Sequence, residues 1–134
     1  MNISIVGLGY VGLSLSVLLS RNYNVVSTDI DKKKIRKINN KVSPVIDKDI
    51  ETFLKSKKLN LKVTSNKRTC LKGATYTIVA VPTDYNKKSN SFNTKIVENT
   101  ISEILEIEPK TTIVIKSTVP YGFTDYIRKK YKIK

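Results

Sequence analysis

Apolar positions along the chain follow two alternating rhythms: short β-branched runs, and longer stretches with helical spacing. Asn2–Val6 and Asn24–Thr28 read as strands. Between them lie a tight turn, Gly7–Gly12, and a helix from Val11 to about Asn22, with Leu15, Leu18 and Leu19 expected on one inward face. Asp31 caps a lysine-rich helix from about Lys32 to Asn39, with Ile35 and Ile38 facing in. Ser43-Pro44 breaks the pattern. A helix from about Lys48 to Lys57 follows, with Ile50, Phe53 and Leu54 spaced for the core. Leu61–Thr64 is a weak strand, and a short helical turn precedes Gly73. Tyr76–Val81 is a strong strand, and Pro82–Asn93 is polar enough to read as a loop. Asn93 or Thr94 caps a helix to about Ile107, whose Val97, Ile101, Ile104 and Leu105 form one apolar stripe. Pro109 stops it. Thr112–Lys116 is a fifth strand, Ser117–Gly122 a turn, and Phe123–Tyr131 a last helix.

Strands alternating with helices predict an α/β fold, a doubly wound parallel sheet in three layers. The first, fourth and fifth strands are near-continuous apolar runs, as expected for strands covered on both faces. No internal repeat or linker interrupts the 134 residues, which make one domain by length.

Charge adds one question. The formal net charge is +14, from 25 basic and 11 acidic residues. Such a charge attracts polyanions in general. All but four of the basic residues are lysines, scattered along the chain, whereas specific base readers favour arginine. A solvated surface is the expectation, with no specific nucleic-acid partner. Histidine is absent, which removes the commonest general base and metal ligand, and no Cys/His cluster can hold a metal. The single cysteine, Cys70, permits no internal disulfide, so a reducing, cytoplasmic setting is expected. Met1–Ile5 lacks the character of a signal peptide. The apolar stretch Val11–Leu19 is too short to span a bilayer, so no membrane partner is expected.

The sharpest chemical signal is Gly7-Leu8-Gly9-Tyr10-Val11-Gly12. A lone GxGxxG is weak evidence. This one follows a predicted strand, opens a predicted helix and begins a unit that ends in an acidic residue, which is the context of a Rossmann-like dinucleotide site. Gly7 permits the turn, Gly9 lets a pyrophosphate approach the backbone, and Gly12 lets helix and strand pack closely. The helix N-terminus then offers free N–H groups to the pyrophosphate. Asp29, at the end of the second strand, is placed to accept both adenosine-ribose hydroxyls and to repel a 2′-phosphate, so NAD is expected over NADP. The run Lys32-Lys33-Lys34 argues the other way, unless it is a solvated helix face.

The loops after the fourth and fifth strands carry Pro82-Thr83-Asp84 and Ser117-Thr118-Val119-Pro120. Ligands of doubly wound sheets lie outside these strand ends. Thr83 and Thr118 are therefore candidates for cofactor contacts; position alone leaves plain loop or cap threonines equally open. Cys70 falls on an expected surface turn near Arg68 and Lys72, where cations would lower its pKa, yet it has no base partner and is expected to be inert. Asp47, Asp49 and Glu51 read as helix-start residues, not as an acid/base pair.

The segments Gly7–Leu15 (GLGYVGLSL), Asp29-Ile30-Asp31, Lys37–Pro44 (KINNKVSP), Ala80–Asn86 (AVPTDYN) and Ile115–Gly122 (IKSTVPYG) resemble the UDP-glucose/GDP-mannose dehydrogenases, most closely those acting on UDP-glucose. The likeness runs along nearly the whole chain. It implies oxidation of the C6 alcohol of UDP-glucose to the carboxylate, with two NAD per turnover and a cysteine-bound thiohemiacetal stage, for capsule and other polysaccharide synthesis. Position by position it implies that Gly7, Leu8, Gly9, Tyr10, Val11 and Gly12 hold the pyrophosphate, and that Asp29 and Lys34 serve the adenosine ribose. It further implies that Pro82 and Thr83 contact the cofactor. Thr118 would lie near the nicotinamide and help position a water at the reacting carbon, the one catalytic role it assigns here.

Asn93 departs from an expected aspartate, neutrally for capping. The larger departure is the end of the chain. The family continues into a sixth strand, a connecting helix and a second domain, with the catalytic cysteine in a Gly-Gly-x-Cys setting that Cys70 does not match. The chain is thus expected to be an excised domain or a truncated product, lacking the last strand of the dinucleotide fold and inactive alone. A UDP-sugar substrate and a homodimer are expected only of the full-length enzyme. The alternatives are a stand-alone nucleotide-binding or regulatory module, and the NAD(P) domain of a related sugar-nucleotide or hydroxyacid dehydrogenase.

Overall fold

A computed structural model describes residues 1–56, 58–87 and 91–133. Five parallel strands form the main sheet: β1 (Asn2–Val6), β2 (Asn24–Thr28), β3 (Leu61–Val63), β4 (Tyr76–Val79) and, last in the chain, β7 (Thr112–Ile115). Their spatial order is β3-β2-β1-β4-β7. The chain therefore builds outward from β1 in one direction, then returns to β1 and builds in the other. That reversal between β1 and β4 is the switch point at which a doubly wound sheet binds its ligand.

Period-two alternation on β1 divides the core. Ile3 and Ile5 pack with Leu15 and Leu19 of α1 (Tyr10–Leu19). On the other face, Val6 packs with Val97, Ile101 and Ile104 of α5 (Lys95–Ile107) and with Phe123 and Ile127 of α6 (Phe123–Tyr131). On that same face, Ser4 donates a 2.5 Å hydrogen bond to the Cys70 carbonyl on α4 (Lys67–Leu71). A third group of side chains joins α1 to α2 (Lys32–Asn39) and α3 (Lys48–Leu54) through Leu13, Val17, Ile35, Ile38, Ile50 and Leu54. The expected three-layer α/β architecture is thus present, with Asp31 capping α2 through the Lys33 and Lys34 amides.

Several expectations need correction. Helix α1 runs Tyr10–Leu19, and its buried residues are Gly12, Leu13, Ser16 and Val17; Leu18 is exposed. The segment is apolar on most sides, so periodicity does not fix its rotation, whereas the Gly12 contact with the turn does. Helix α3 ends at Leu54, and Lys57, where its end was expected, lies outside the described residues. The strands are shorter than read: Thr64, Ala80, Val81 and Lys116 fall outside them. Pro82–Asn93 is not a plain loop. It contains an antiparallel pair, β5 (Asp84–Asn86) and β6 (Ser91–Asn93), in which Tyr85 faces Phe92 with ring centroids 5.1 Å apart. One aromatic per three-residue strand is too little to show as alternation; residues 88–90 lie outside the described set, as does Lys134. Strand β7 is only partly covered, because it stands at the edge of the described sheet.

Cys70 is not on a surface turn. It is buried, with its thiol donating to the Val26 carbonyl at 3.2 Å, and burial pushes its pKa up to about 12. Arg68 and Lys72 belong to the exposed side of the same segment and do not reach it. The folded chain should therefore resist thiol reagents at pH 8 and react only after denaturation. A raised thiol pKa also works against the fold at high pH: its contribution is complete below the ordinary thiol range and is lost as pH rises from there towards 12. Fast labelling of the native chain, or a melting temperature unmoved between neutral pH and pH 11, would contradict this burial.

Candidate functional site

The switch point is built around the Gly7–Gly12 turn. Gly7 has φ +98°, and a Cβ there would lie 2.5 Å from the carbonyl oxygen of Ala80, just past the end of β4. Its N–H donates to the Thr28 carbonyl at 2.9 Å, which ties the turn to the end of β2. Gly12 faces the turn from the first coil of α1, and a Cβ there would stand 1.8 Å from the Gly7 oxygen. These two glycines are needed to fold the turn.

Gly9 differs. It is the N-cap of α1, in extended conformation with φ −72°, and a Cβ on it would meet nothing within 4 Å. Folding does not require glycine here. The space is open, and it lies at a helix N-terminus whose first N–H groups have no intrahelical acceptor. No side chain caps this end, and no acidic residue occupies its first turn. An anion with its own oxygens fits this cradle. At the same position α2 and α3 instead carry Asp31 and Asp47, whose carboxylates accept from the helix amides.

Asp29 closes one side. Its carboxylate accepts from the Leu8 amide at 2.7 Å and from the Asp31 amide at 2.8 Å, and Lys34 Nζ lies 3.7 Å away. Leu8 contributes only its backbone, since its side chain is fully buried in the core. Beside Asp29 an apolar cleft opens between Ile30, Val81, Pro82 and Ile96, with Gly7 and Thr28 at its floor. Ile30, 91% exposed, stands at the rim of this cleft.

Sequence reasoning missed three contacts. Tyr10, exposed at the start of α1, donates from its hydroxyl to Asp47 Oδ2 at 2.6 Å. Asp47 was expected only to start a helix; it does so, accepting from the Ile50 amide, while also tying α3 to the glycine turn. The Tyr10 bond holds the Asp47 carboxyl below its usual range and raises the tyrosine. That tie is complete above the ordinary carboxylate range and is lost as pH falls through the lowered value. Ser117 donates to the Val81 carbonyl at 2.7 Å and pins together the loops that carry Thr83 and Thr118. The Lys67–Glu103 ion pair, 2.5 Å, stands on the wall of the same cleft as Asp29. Partners so far apart in sequence leave no local signal.

Thr83 is half-buried and Thr118 exposed, each just beyond the carboxyl end of its strand, β4 and β7. The pairing of β4 with β7, extended by the Lys116 amide on the Val79 carbonyl at 2.8 Å, brings the two loops to one end of the sheet. Val11 is exposed beside Tyr10 on α1. Among the described residues no group of acidic, cysteine or histidine side chains is placed to hold a metal ion, and no helix is long and apolar enough to cross a membrane.

Comparison with known proteins agrees with this geometry. The chain matches the UDP-glucose/GDP-mannose dehydrogenase family, NAD binding domain, over residues 1–134. It is 43% identical over 135 residues to UDP-glucose 6-dehydrogenase of Campylobacter jejuni, covering 99% of the chain and 34% of that protein. It is 44% identical over 131 residues to the Streptococcus pneumoniae UDP-glucose 6-dehydrogenase, covering 98% and 33%. Among solved structures, a ternary complex of GDP-mannose dehydrogenase from Pseudomonas aeruginosa superposes with a TM-score of 0.86 at 27% identity, covering 100% of the chain and 33% of its own. UDP-D-ManNAc dehydrogenase from Pyrococcus horikoshii gives 0.86 at 30% identity, covering 98% and 32%. The chain spans about a third of the length of these relatives. By sequence and by fold, it belongs to the UDP-glucose/GDP-mannose dehydrogenase family, as its NAD-binding domain.

Proposed function

We propose that this chain is the cofactor-holding part of an enzyme that oxidises UDP-glucose to UDP-glucuronate with two NAD per turnover. The observation that carries the cofactor assignment is the open space at Gly9, bounded by the free start of α1 and by Asp29. The sugar assignment rests on likeness to the UDP-glucose 6-dehydrogenases at 43% and 44% identity. NAD, when bound, accepts a hydride from the sugar carbon. The residues of this chain bind and orient it. Backbone of Gly7–Gly12 takes the pyrophosphate, with the Tyr10 and Val11 amides at the helix start. Asp29 accepts from the adenosine ribose with Lys34 beside it, and Pro82 and Thr83 contact the cofactor from the β4 end. Thr118 sits at the nicotinamide and positions a water at the reacting carbon.

A nucleophile and a sugar-nucleotide pocket must come from a further part of the enzyme, so the isolated chain is inactive. The setting is cytoplasmic and the working unit a homodimer, with neither membrane nor specific nucleic acid as partner. Polysaccharide and capsule synthesis is the route that uses such a product. With a polypeptide that carries this chain and the catalytic part, each UDP-glucose should yield two NADH. One NADH per sugar, or turnover only with another nucleotide sugar, would overturn the assignment. In the same assay Asp29→Ala should raise the NAD requirement at least tenfold, roughly the worth of a charged hydrogen bond, and Thr118→Ala should lower kcat with little effect on NAD binding.

A further inference from the structure

The cleft beside Asp29 has apolar walls on which a flat ring fits: Ile30 and Ile96, both exposed, with Val81 and Pro82. Apart from Asp29, the charged groups on its wall are Lys67, at the start of α4, and Glu103, on α5. Their ion pair is 2.5 Å long, with the two side chains 44% and 45% exposed. An exposed pair of this kind adds little to stability. It does present a donor and an acceptor side by side at the rim of a slot whose facing walls, Ile30, Val81, Pro82 and Ile96, are apolar.

We propose that Glu103 and Lys67 read the polar edge of the cofactor's adenine, a step that rests on the NAD reading of the glycine turn. Adenine carries an exocyclic amino donor next to ring-nitrogen acceptors. Glu103 accepts from the amino group, and Lys67 donates to the ring nitrogen beside it. Each partner is fixed to its own helix, so the polarity is not readily exchanged. Hypoxanthine, with a carbonyl in place of the amino group, presents an acceptor to the carboxylate. The site thereby selects the base of the dinucleotide, while Asp29 selects at the ribose.

The test compares binding of NAD and of nicotinamide hypoxanthine dinucleotide by calorimetry, in the chain and in Glu103→Leu, Glu103→Gln and the exposed control Glu106→Leu. Circular dichroism confirms that each variant is folded. The unaltered chain should prefer NAD by about fivefold, the scale of one partly exposed hydrogen bond. Glu103→Leu should bring the two affinities together by weakening NAD. Glu103→Gln, whose amide both donates and accepts, should do so while keeping NAD binding. Glu106→Leu should leave the preference intact. If Glu103 serves only to join α4 to α5, its variants will weaken both dinucleotides equally and the preference will persist, which overturns the proposal. An unaltered chain that does not distinguish the two bases overturns it as well. Binding of neither dinucleotide would instead overturn the glycine-turn reading, and the base reading with it.

Discussion

Gly9→Ala should reduce NAD binding by roughly a hundredfold or more while leaving the fold in place. The added methyl enters space that is empty of protein, in a backbone conformation open to alanine. Two small opposing effects on stability are expected, a weaker N-cap and a less flexible unfolded chain, so stability should change by no more than about 1 kcal/mol. The same methyl stands where the pyrophosphate must approach the start of α1. Losing two hydrogen bonds to a charged group, at about 1.5 kcal/mol each, gives the hundredfold figure. Calorimetry and a thermal melt on the same sample separate the effects. Retained NAD affinity would show that the ligand does not approach the backbone here; a collapsed melting temperature would show that Gly9 is structural.

Gly12→Ala should do the reverse and act on the fold. Its methyl would lie 1.8 Å from the Gly7 carbonyl oxygen. Gly7 has no room to retreat, because the turn is already pressed on Ala80 and bonded to Thr28. Helix α1 must then lift from β1, parting Leu15 and Leu19 from Ile3 and Ile5. A cost of about 3 kcal/mol or more follows for such overpacking, which lowers the melting temperature by about 10 °C in a domain of this size. A melt within about 2 °C of the unaltered chain would contradict the packing role.

The contrast between these two glycines shows what the sequence could and could not reveal. The motif, its place between strand and helix, and the acidic residue after β2 were all legible, because each depends on local pattern. So were the Asp31 cap and the apolar face of α5. The rotation of α1 was not: with apolar residues on most sides, its buried face is chosen by the Gly7–Gly12 contact, between residues whose approach depends on the folded turn. The burial of Cys70 was hidden for a related reason. Its neighbours in sequence are charged, but its neighbours in space are Ser4 and Val26 on the sheet. The β5–β6 pair has too few residues to show alternation. The wall of the cleft, formed by Ile30, Ile96 and the Lys67–Glu103 pair, assembles from three separate segments and leaves no trace in any of them.

Asp29 unites both halves of the site. Its carboxylate supports the glycine turn through the Leu8 amide and, in the function proposed above, would accept from the ribose as well. Replacing it should therefore weaken the pyrophosphate cradle as well as the ribose contact. For the same reason, a single change at Asp29 should not convert the chain to NADP use, although Lys32, Lys33 and Lys34 stand close by on α2.

The central claim is that the Gly7–Gly12 turn and Asp29 form an NAD site. Calorimetric titration of this chain with NAD and, separately, NADP at physiological salt tests it most directly. Saturable binding of NAD, clearly tighter than NADP, is the predicted result. Binding of neither, or tighter binding of NADP, would contradict it.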